Sequence, residues 1–377
     1  MSGPTRCRPR PVDISDDPRC WAPLAPRIYT RRSRPTGTSE PLAVVPRNRV
    51  LVGDAATRLR QLPTGSIDAV VTSPPYFLLR DYGVAGQLGA EPHIDDYVTD
   101  FVAVADEIAR VLKPTGSFWL NLGDSYSRGP QYGAPAKGML LAPERILLAL
   151  HARGWIVRNK IVWSKPNAMP TSVRDRLACS WEPLYLLVRS EHYRFDLDAI
   201  REPHRSSRTP ARRAHQEKYA NRPDWAGPLA GANDGLIRAR AEGRVGHPLG
   251  KNPGDVWTIA TAGYRGAHFA TFPPRLVERP FLAAVPERIC TTCSRPWKRD
   301  ALHLVADCGC SADWRPGIVL DPFMGAGTVA VTAERHRRDW LGIELNPDYA
   351  QLATQRIENE RAKRARDGPI GKRRRAA

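Results

Sequence analysis

Thr72-Ser73-Pro74-Pro75-Tyr76 sets a hydroxyl and a proline-held carbonyl side by side, followed by an aromatic ring. The two prolines keep this stretch out of a sheet ladder, so Ser73 Oγ and the Pro74 carbonyl remain available as acceptors. Two convergent acceptors suit an exocyclic amine on a nucleobase. Such an amine is a poor nucleophile because its lone pair is delocalised into the ring. Acceptors on both amino hydrogens localise that pair toward an electrophile. Tyr76 offers a face on which a base that has left its duplex can stack. As structure alone, the same residues make a proline-stiffened turn.

A second group is Asp321-Pro322-Phe323-Met324-Gly325-Ala326-Gly327-Thr328, between an apolar strand pattern and a helical one. Its glycines allow close approach of backbone to a ligand at a helix N-terminus. Glu344 stands 17 residues past Gly327, at the end of the next apolar run. An acid there is placed to accept hydrogen bonds from ribose hydroxyls, as in other nucleotide-binding α/β sheets. No Gly-Lys-Ser/Thr follows, which excludes a phosphate-clasping P-loop. A lone Gly-x-Gly is an ordinary turn; the Asp-Pro-Phe lead-in and the downstream acid set this one apart.

The third group is Cys290-x2-Cys293 followed, after fourteen residues, by Cys308-x-Cys310. In a cytoplasmic chain, paired knuckles of this kind predict a tetrahedral structural zinc site rather than disulfides. Free thiols are the alternative, and His303 between the knuckles is not needed once four thiolates are present. Cys179, between Ala178 and Ser180, reads as a small buried residue.

The elements that must position these groups follow from apolar patterning. Val50–Val52, ending in Gly53-Asp54, reads as a buried strand and its exit turn, and a short helix carries Leu59 and Leu62. Ile67–Thr72 is a buried strand stopped by the Ser-Pro-Pro. Tyr97–Leu112 has helical spacing, with Lys113-Pro114-Thr115-Gly116 as its stop, and a strand over Ser117–Leu122 follows. Leu140–Leu150 is a helix, and Trp155–Trp163 and Trp181–Val188 are strands. After residues 190–266, which are polar, basic and rich in Gly and Pro, the pattern resumes with strands at Ile318–Leu320 and Trp340–Ile343 and helices at Val329–Arg337 and Tyr349–Arg361. Strands alternating with helices predict an α/β fold, Rossmann-like, with a mostly parallel sheet covered on both faces.

The net charge of +18 is unevenly spread. Residues 1–45 hold eight arginines against four acids, 201–251 eleven basic residues against five acids, and 361–377 eight against one. A nearly neutral core with basic appendages suits an enzyme that handles a polyanion. A biased, arginine-rich composition is the plain alternative. The expected organisation is a disordered basic segment (1–45), a first half-domain (46–189), an insertion (190–266), a second half-domain (267–286 and 315–360) interrupted by the zinc knuckles (287–314), and a basic tail (361–377). No apolar run spans a membrane, and Met1–Arg10 lacks the apolar stretch of a secretory signal, so a cytoplasmic protein is expected.

Together these motifs resemble the β-class DNA amino-methyltransferases, a circularly permuted family in which the Pro-Pro-Tyr motif precedes the Gly-rich one. The resemblance covers roughly 49–200 and 250–360. It implies S-adenosyl-L-methionine as cofactor and double-stranded DNA as substrate. It implies catalytic roles for Ser73, Pro74, Pro75 and Tyr76, and cofactor contacts from Asp321, Phe323, Gly325, Gly327, Thr328 and Glu344. Gly53-Asp54 resembles the family's acidic turn, making Asp54 a further cofactor residue. His268-Phe269-Ala270-Thr271-Phe272-Pro273 resembles its remaining cofactor-side motif, adding Thr271. Residues 190–266 fall where the family often carries target recognition, and the loop with Arg128, Gln131 and Tyr132 is a weaker candidate for DNA contact. The family's adenine enzymes usually carry Asp or Asn before Pro-Pro, so Ser73 favours cytosine N4 over adenine N6. Methylation at cytosine carbon 5 needs a thiolate, typically after Pro, and this chain has no Pro-Cys pair. A DNA-binding protein on a decayed methyltransferase scaffold is the rival of another class. The sequence leaves open a cognate restriction endonuclease as partner, and a monomer or a homodimer.

Overall fold

The computed structural model describes residues 44–204, 247–261, 272–300, 303–310 and 313–367. The arginine-rich N-terminal stretch, the basic centre of the 190–266 segment, Thr271 and the end of the basic tail, 368–377, lie outside the described residues.

Among the described residues eight strands form one sheet. They are β1 (Arg49–Val52), β2 (Ile67–Thr72), β3 (Leu112–Asn121), β4 (Ile156–Ser164), β5 (Trp181–Val188), β6 (Val256–Thr258), β11 (Ile318–Asp321) and β12 (Asp339–Glu344). Their order is β1-β12-β11-β2-β3-β5-β4-β6. Only β5 runs against its neighbours β3 and β4; every other pair is parallel. The sequence distance between β2 and β11 therefore vanishes in space, with Val319 opposite Ala69 and Leu320 opposite Val70. That adjacency is the permuted arrangement the motif order implied.

Two groups of helices cover the sheet. α1 (Ala55–Gln61), α2 (Ile94–Val111) and α3 (Ala142–Ala152) touch in succession, as do α4 (Pro274–Ala284), α5 (Thr328–Arg335) and α6 (Pro347–Asp367). β2 is buried at all its positions, as a central strand in a doubly covered sheet must be. Its alternate residues Ala69 and Val71 join a core with Leu276, Val277 and Phe281 of α4 and Val329 of α5. No helix of the described residues is long and apolar enough to cross a membrane.

Two local features differ from the sequence reading. Lys113-Pro114-Thr115-Gly116 does not separate helix from strand. β3 already pairs at Leu112 with Ile67, and those four residues bulge out before pairing resumes at Ser117 with Ala69. The bulge serves a buried charge: Lys113 Nζ pairs with Asp68 of β2, whose other oxygen accepts the Ile318 N–H at 2.9 Å. The 190–266 segment is also not wholly outside the sheet. β6 lies within it and pairs with β4, and Trp257 and Ile259 are core residues.

Candidate active site and cysteine cluster

The catalytic motif begins where β2 ends and the Gly-rich motif where β11 ends, so both open at the same edge of the sheet. Thr72 Oγ1 donates to Asp321 Oδ1 at 2.6 Å, joining the two loops directly. Strands that exchange order here leave a crevice at their C-terminal ends, the usual ligand site of an open α/β sheet.

On the cofactor side, backbone N–H groups do the work. Phe323 N donates to Asp321 Oδ1 at 3.1 Å, and Gly325 N to Glu344 Oε2 at 2.7 Å. Asn346 N donates to Glu344 Oε1 at 2.9 Å. Gly325 and Gly327 sit at φ of 49° and 75°, in the left-handed region that favours glycine. Thr328 starts α5 and is buried. Glu344 thus holds the loop in place while each of its oxygens keeps a lone pair for a further donor. Burial raises its carboxyl above the usual range, against the lowering effect of those N–H groups. The Gly53-Asp54 turn lies alongside, since Gly53 N donates to the Glu344 carbonyl at 2.8 Å. Asp54 itself caps α1, accepting from Thr57 N at 2.9 Å and Thr57 Oγ1 at 2.8 Å.

Asp321 is the anomalous group. It is buried, and its Oδ2 has no hydrogen-bond partner among the described residues. Burial pushes its carboxyl up to about 7, although Thr72 and the Phe323 N–H favour the ionised form. A buried acceptor left unpaired costs stability, so this oxygen fits a site completed by a ligand that donates to it.

On the catalytic side, side chains do the work. Tyr76 Oη lies 2.9 Å from Glu182 Oε2, 3.3 Å from Asn121 Oδ1 and 3.2 Å from Ser73 Oγ. Glu182 is ion-paired with Lys165, whose ammonium also sits 4.4 Å from the centre of the Trp163 ring. Asn121 Nδ2 donates to the Pro183 carbonyl at 3.1 Å, fixing its amide. Tyr97 Oη donates to the Pro75 carbonyl at 2.8 Å, and Ser125 Oγ to the Phe77 carbonyl at 2.7 Å. The Tyr76 ring lies across Gly123, where a Cβ would come within 2.4 Å of Tyr76 Cε2. Burial, then the Glu182 charge, raises the Tyr76 hydroxyl well above its ordinary range, so it stays protonated.

Asn121, Gly123, Lys165 and Glu182 escaped the sequence reading. The available signal was a charged residue at the head of an otherwise apolar strand, Glu182 in Trp181–Val188. Cys179 departs from its expected place: it is exposed, with its Sγ 3.5 Å from Tyr126 Oη, because the loop before β5 runs over the surface. Arg128, Gln131 and Tyr132 sit in a surface loop, with Gln131 and Tyr132 in a short 3-10 turn.

The four cysteines converge. Their sulfurs all lie within 4.8 Å of one another. Cys290 ends β7 (Ile289–Cys290), which pairs with β10 (Trp314–Arg315), while β8 (Lys298–Asp300) and β9 (His303–Val305) form the intervening hairpin. The first knuckle closes through Ser294 N to the Cys290 carbonyl at 3.0 Å. N–H groups of Cys293 and then Thr292 hold the Cys290 thiol down to about 6. His303 is exposed and outside the group.

A family profile described as DNA methylase, N6_N4_Mtase, matches residues 67–355. The Type II methyltransferase M.XycI of Xanthomonas campestris pv. cyanopsidis is 35% identical over 330 residues, covering 82% of this chain and 87% of its own. M.Cfr9I of Citrobacter freundii, also a Type II methyltransferase, is 34% identical with the same coverage of 82% and 87%. Among solved structures, PvuII DNA methyltransferase (cytosine-N4-specific) superposes with a TM-score of 0.52 at 18% identity, covering 85% of this chain and 93% of that one. At that identity the likeness is one of fold.

Proposed function

This chain belongs to the N6/N4 family of DNA methylases, and from that membership we propose that it transfers a methyl group from S-adenosyl-L-methionine to N4 of cytosine in double-stranded DNA. The observation that carries the reading is the 2.6 Å contact between Thr72 and Asp321, which sets the amine-accepting loop beside the Gly-rich loop. When bound, the cofactor supplies an electrophilic sulfonium methyl. Glu344 is assigned to the ribose hydroxyls, Asp321 Oδ2 to a donor on the cofactor, and Phe323, Gly325, Gly327 and Thr328 to the wall around it. Asp54 and Thr271 complete the assigned set. Ser73 Oγ and the Pro74 carbonyl accept the two amino hydrogens, Pro75 stiffens the loop, and Tyr76 supports the base. In-line transfer then depends on proximity and orientation more than on a strong base. The choice of cytosine rests on serine, rather than Asp or Asn, before Pro-Pro.

Mass spectrometry of nucleosides from plasmid DNA of expressing cells, with Ser73→Ala as control, tests reaction and base together. N4-methylcytosine with the intact protein alone is the expected result. N6-methyladenine would keep the mechanism and overturn the base. Neither product would leave a target sequence absent from the plasmid or the decayed scaffold, and a measurement of S-adenosyl-L-methionine binding separates those two. The Type II relatives support a cognate restriction endonuclease as a functional partner, and the arginine-rich part of 190–266 is assigned to the DNA backbone and target.

We also propose that Cys290, Cys293, Cys308 and Cys310 hold structural zinc. Four thiolates about 2.3 Å from zinc form a tetrahedron with edges of roughly 3.8 Å, which sulfurs grouped within 4.8 Å reach by small movements. Elemental analysis of the purified protein should find one zinc per chain, lost together with thermal stability in Cys293→Ser. Metal-free protein in which all seven thiols of the chain titrate freely would overturn it.

A further inference from the structure

The acceptor role of Ser73 raises a question of hydrogen-bond polarity. A serine hydroxyl is donor and acceptor alike, and its proton must point away from the amine if its lone pairs are to receive one. The contact between Ser73 Oγ and Tyr76 Oη, at 3.2 Å, can run in either direction by geometry alone. What lies beyond Tyr76 decides it. Glu182 Oε2 is 2.9 Å from Tyr76 Oη, and an ionised carboxylate only accepts. Tyr76 has one hydrogen, so donating it to Glu182 leaves its oxygen as the acceptor for the Ser73 proton.

Glu182 is one half of an ion pair. Lys165 pairs with it, and both side chains are mostly shielded from water, at 16% and 20% exposure, where the charge pair is little screened. Asn121 cannot reverse the order. Its Nδ2 is directed to the Pro183 carbonyl at 3.1 Å and to Glu182 Oε2 at 3.3 Å, which turns its oxygen, another acceptor, toward Tyr76. Among the described residues, the partners of the Tyr76 hydroxyl other than Ser73, Glu182 and Asn121, are thus acceptors.

We propose that Glu182 is a positioning residue that sets the direction of the chain Ser73 to Tyr76 to Glu182, and so presents the Ser73 lone pairs to the target amine. No proton moves along the chain. Each hydroxyl donates to the next group, and the charge at the end polarises both, making Ser73 Oγ a stronger acceptor. The inference rests on the reading of Ser73 as an amine acceptor.

A double-mutant cycle tests it, with kcat, KM for DNA and cofactor affinity measured on a duplex carrying the site found methylated in plasmid DNA. Glu182→Gln keeps the size of the side chain but no longer dictates which atom meets Tyr76. It should lower kcat about tenfold with KM and cofactor affinity unchanged, as for loss of one charge-assisted hydrogen bond. Tyr76→Phe should cost a similar factor, because it removes the middle of the chain. The decisive result is the pair: Glu182→Gln should add nothing to Tyr76→Phe, and Glu182→Asp should recover part of the rate. Independent, multiplying losses would show that Glu182 acts elsewhere, as by general packing, and would overturn the proposal. Full activity in Ser73→Ala would instead sink the underlying reading, whatever the cycle showed.

Discussion

The two loops that meet through Thr72 and Asp321 are built on opposite plans. The cofactor-side loop is wired by backbone: its N–H groups converge on two carboxylates, and the Glu344 partners lie within 19 residues of it. The catalytic loop is wired by side chains from remote strands, with Asn121 and Glu182 lying 45 and 106 residues from Tyr76. Backbone donors tolerate changes of side chain but demand glycines with positive φ. A side-chain network demands particular residues and can set proton direction and charge. A cofactor common to many enzymes suits the first plan. A reacting base that differs between enzymes suits the second.

The contrast is sharpest in substitutions that separate rate from cofactor binding. On the proposed assignment, Ser73→Ala removes the acceptor for the reacting amine, and Tyr76→Ala removes the base support together with the hydroxyl. Each should lower methyl transfer by about 10²–10³-fold, the usual cost of losing one preorganised group, with S-adenosyl-L-methionine affinity within about threefold of wild type. Calorimetric titration beside single-turnover methylation checks both. Parallel loss of affinity would merge the two regions into one.

Glu344→Ala is the converse. It removes the acceptor of two N–H groups and the assigned ribose contact, so cofactor affinity should fall roughly tenfold or more, as expected when hydrogen bonds to a charged group are lost. Unchanged affinity would remove Glu344 from the site. A smaller steric effect belongs to the catalytic side alone. In Gly123→Ala the new methyl meets the Tyr76 ring at 2.4 Å, so the ring must shift. Turnover should fall by about three- to tenfold, with cofactor affinity retained.

The same contrast explains what could be read in advance. Asp321, Gly325, Gly327 and Glu344 stand in a strand, turn, helix and strand succession, where chain order alone dictates who meets whom. The two ends of the sheet edge were legible for the same reason: Ile67–Thr72 and Ile318–Asp321 are short apolar runs cut off by Ser-Pro-Pro and Pro-Phe. Glu182 and Lys165 were not, because their meeting depends on β5 running antiparallel between β3 and β4, a pairing that periodicity does not specify. The bulge at Lys113–Gly116 was hidden likewise, since its cause is the buried Asp68 on a neighbouring strand. α2 starts at Ile94, three residues before the Tyr97 start that the sequence pattern predicts, because His93 caps it through Nδ1, an acceptor outside the usual capping set.

The smallest predicted effect concerns Asp321, whose Oδ2 has no hydrogen-bond partner among the described residues. Its folded carboxyl is raised to about 7 by burial, whereas an unfolded aspartate titrates near 3.9. Between those values the folded chain holds a proton that the unfolded chain has released, so stability from this group falls as pH rises through about 4 to 7 and levels off above. Asp321→Asn has no such titration. Without cofactor, its melting temperature relative to wild type should rise by about 4 °C from pH 5 to pH 8. Saturating S-adenosyl-L-methionine should shrink that difference, because a donor reaching Oδ2 stabilises the ionised form and lowers the carboxyl toward its ordinary range. A difference in melting temperature that ignores both pH and cofactor would place the proton elsewhere and leave Asp321 a structural acid serving Thr72 alone.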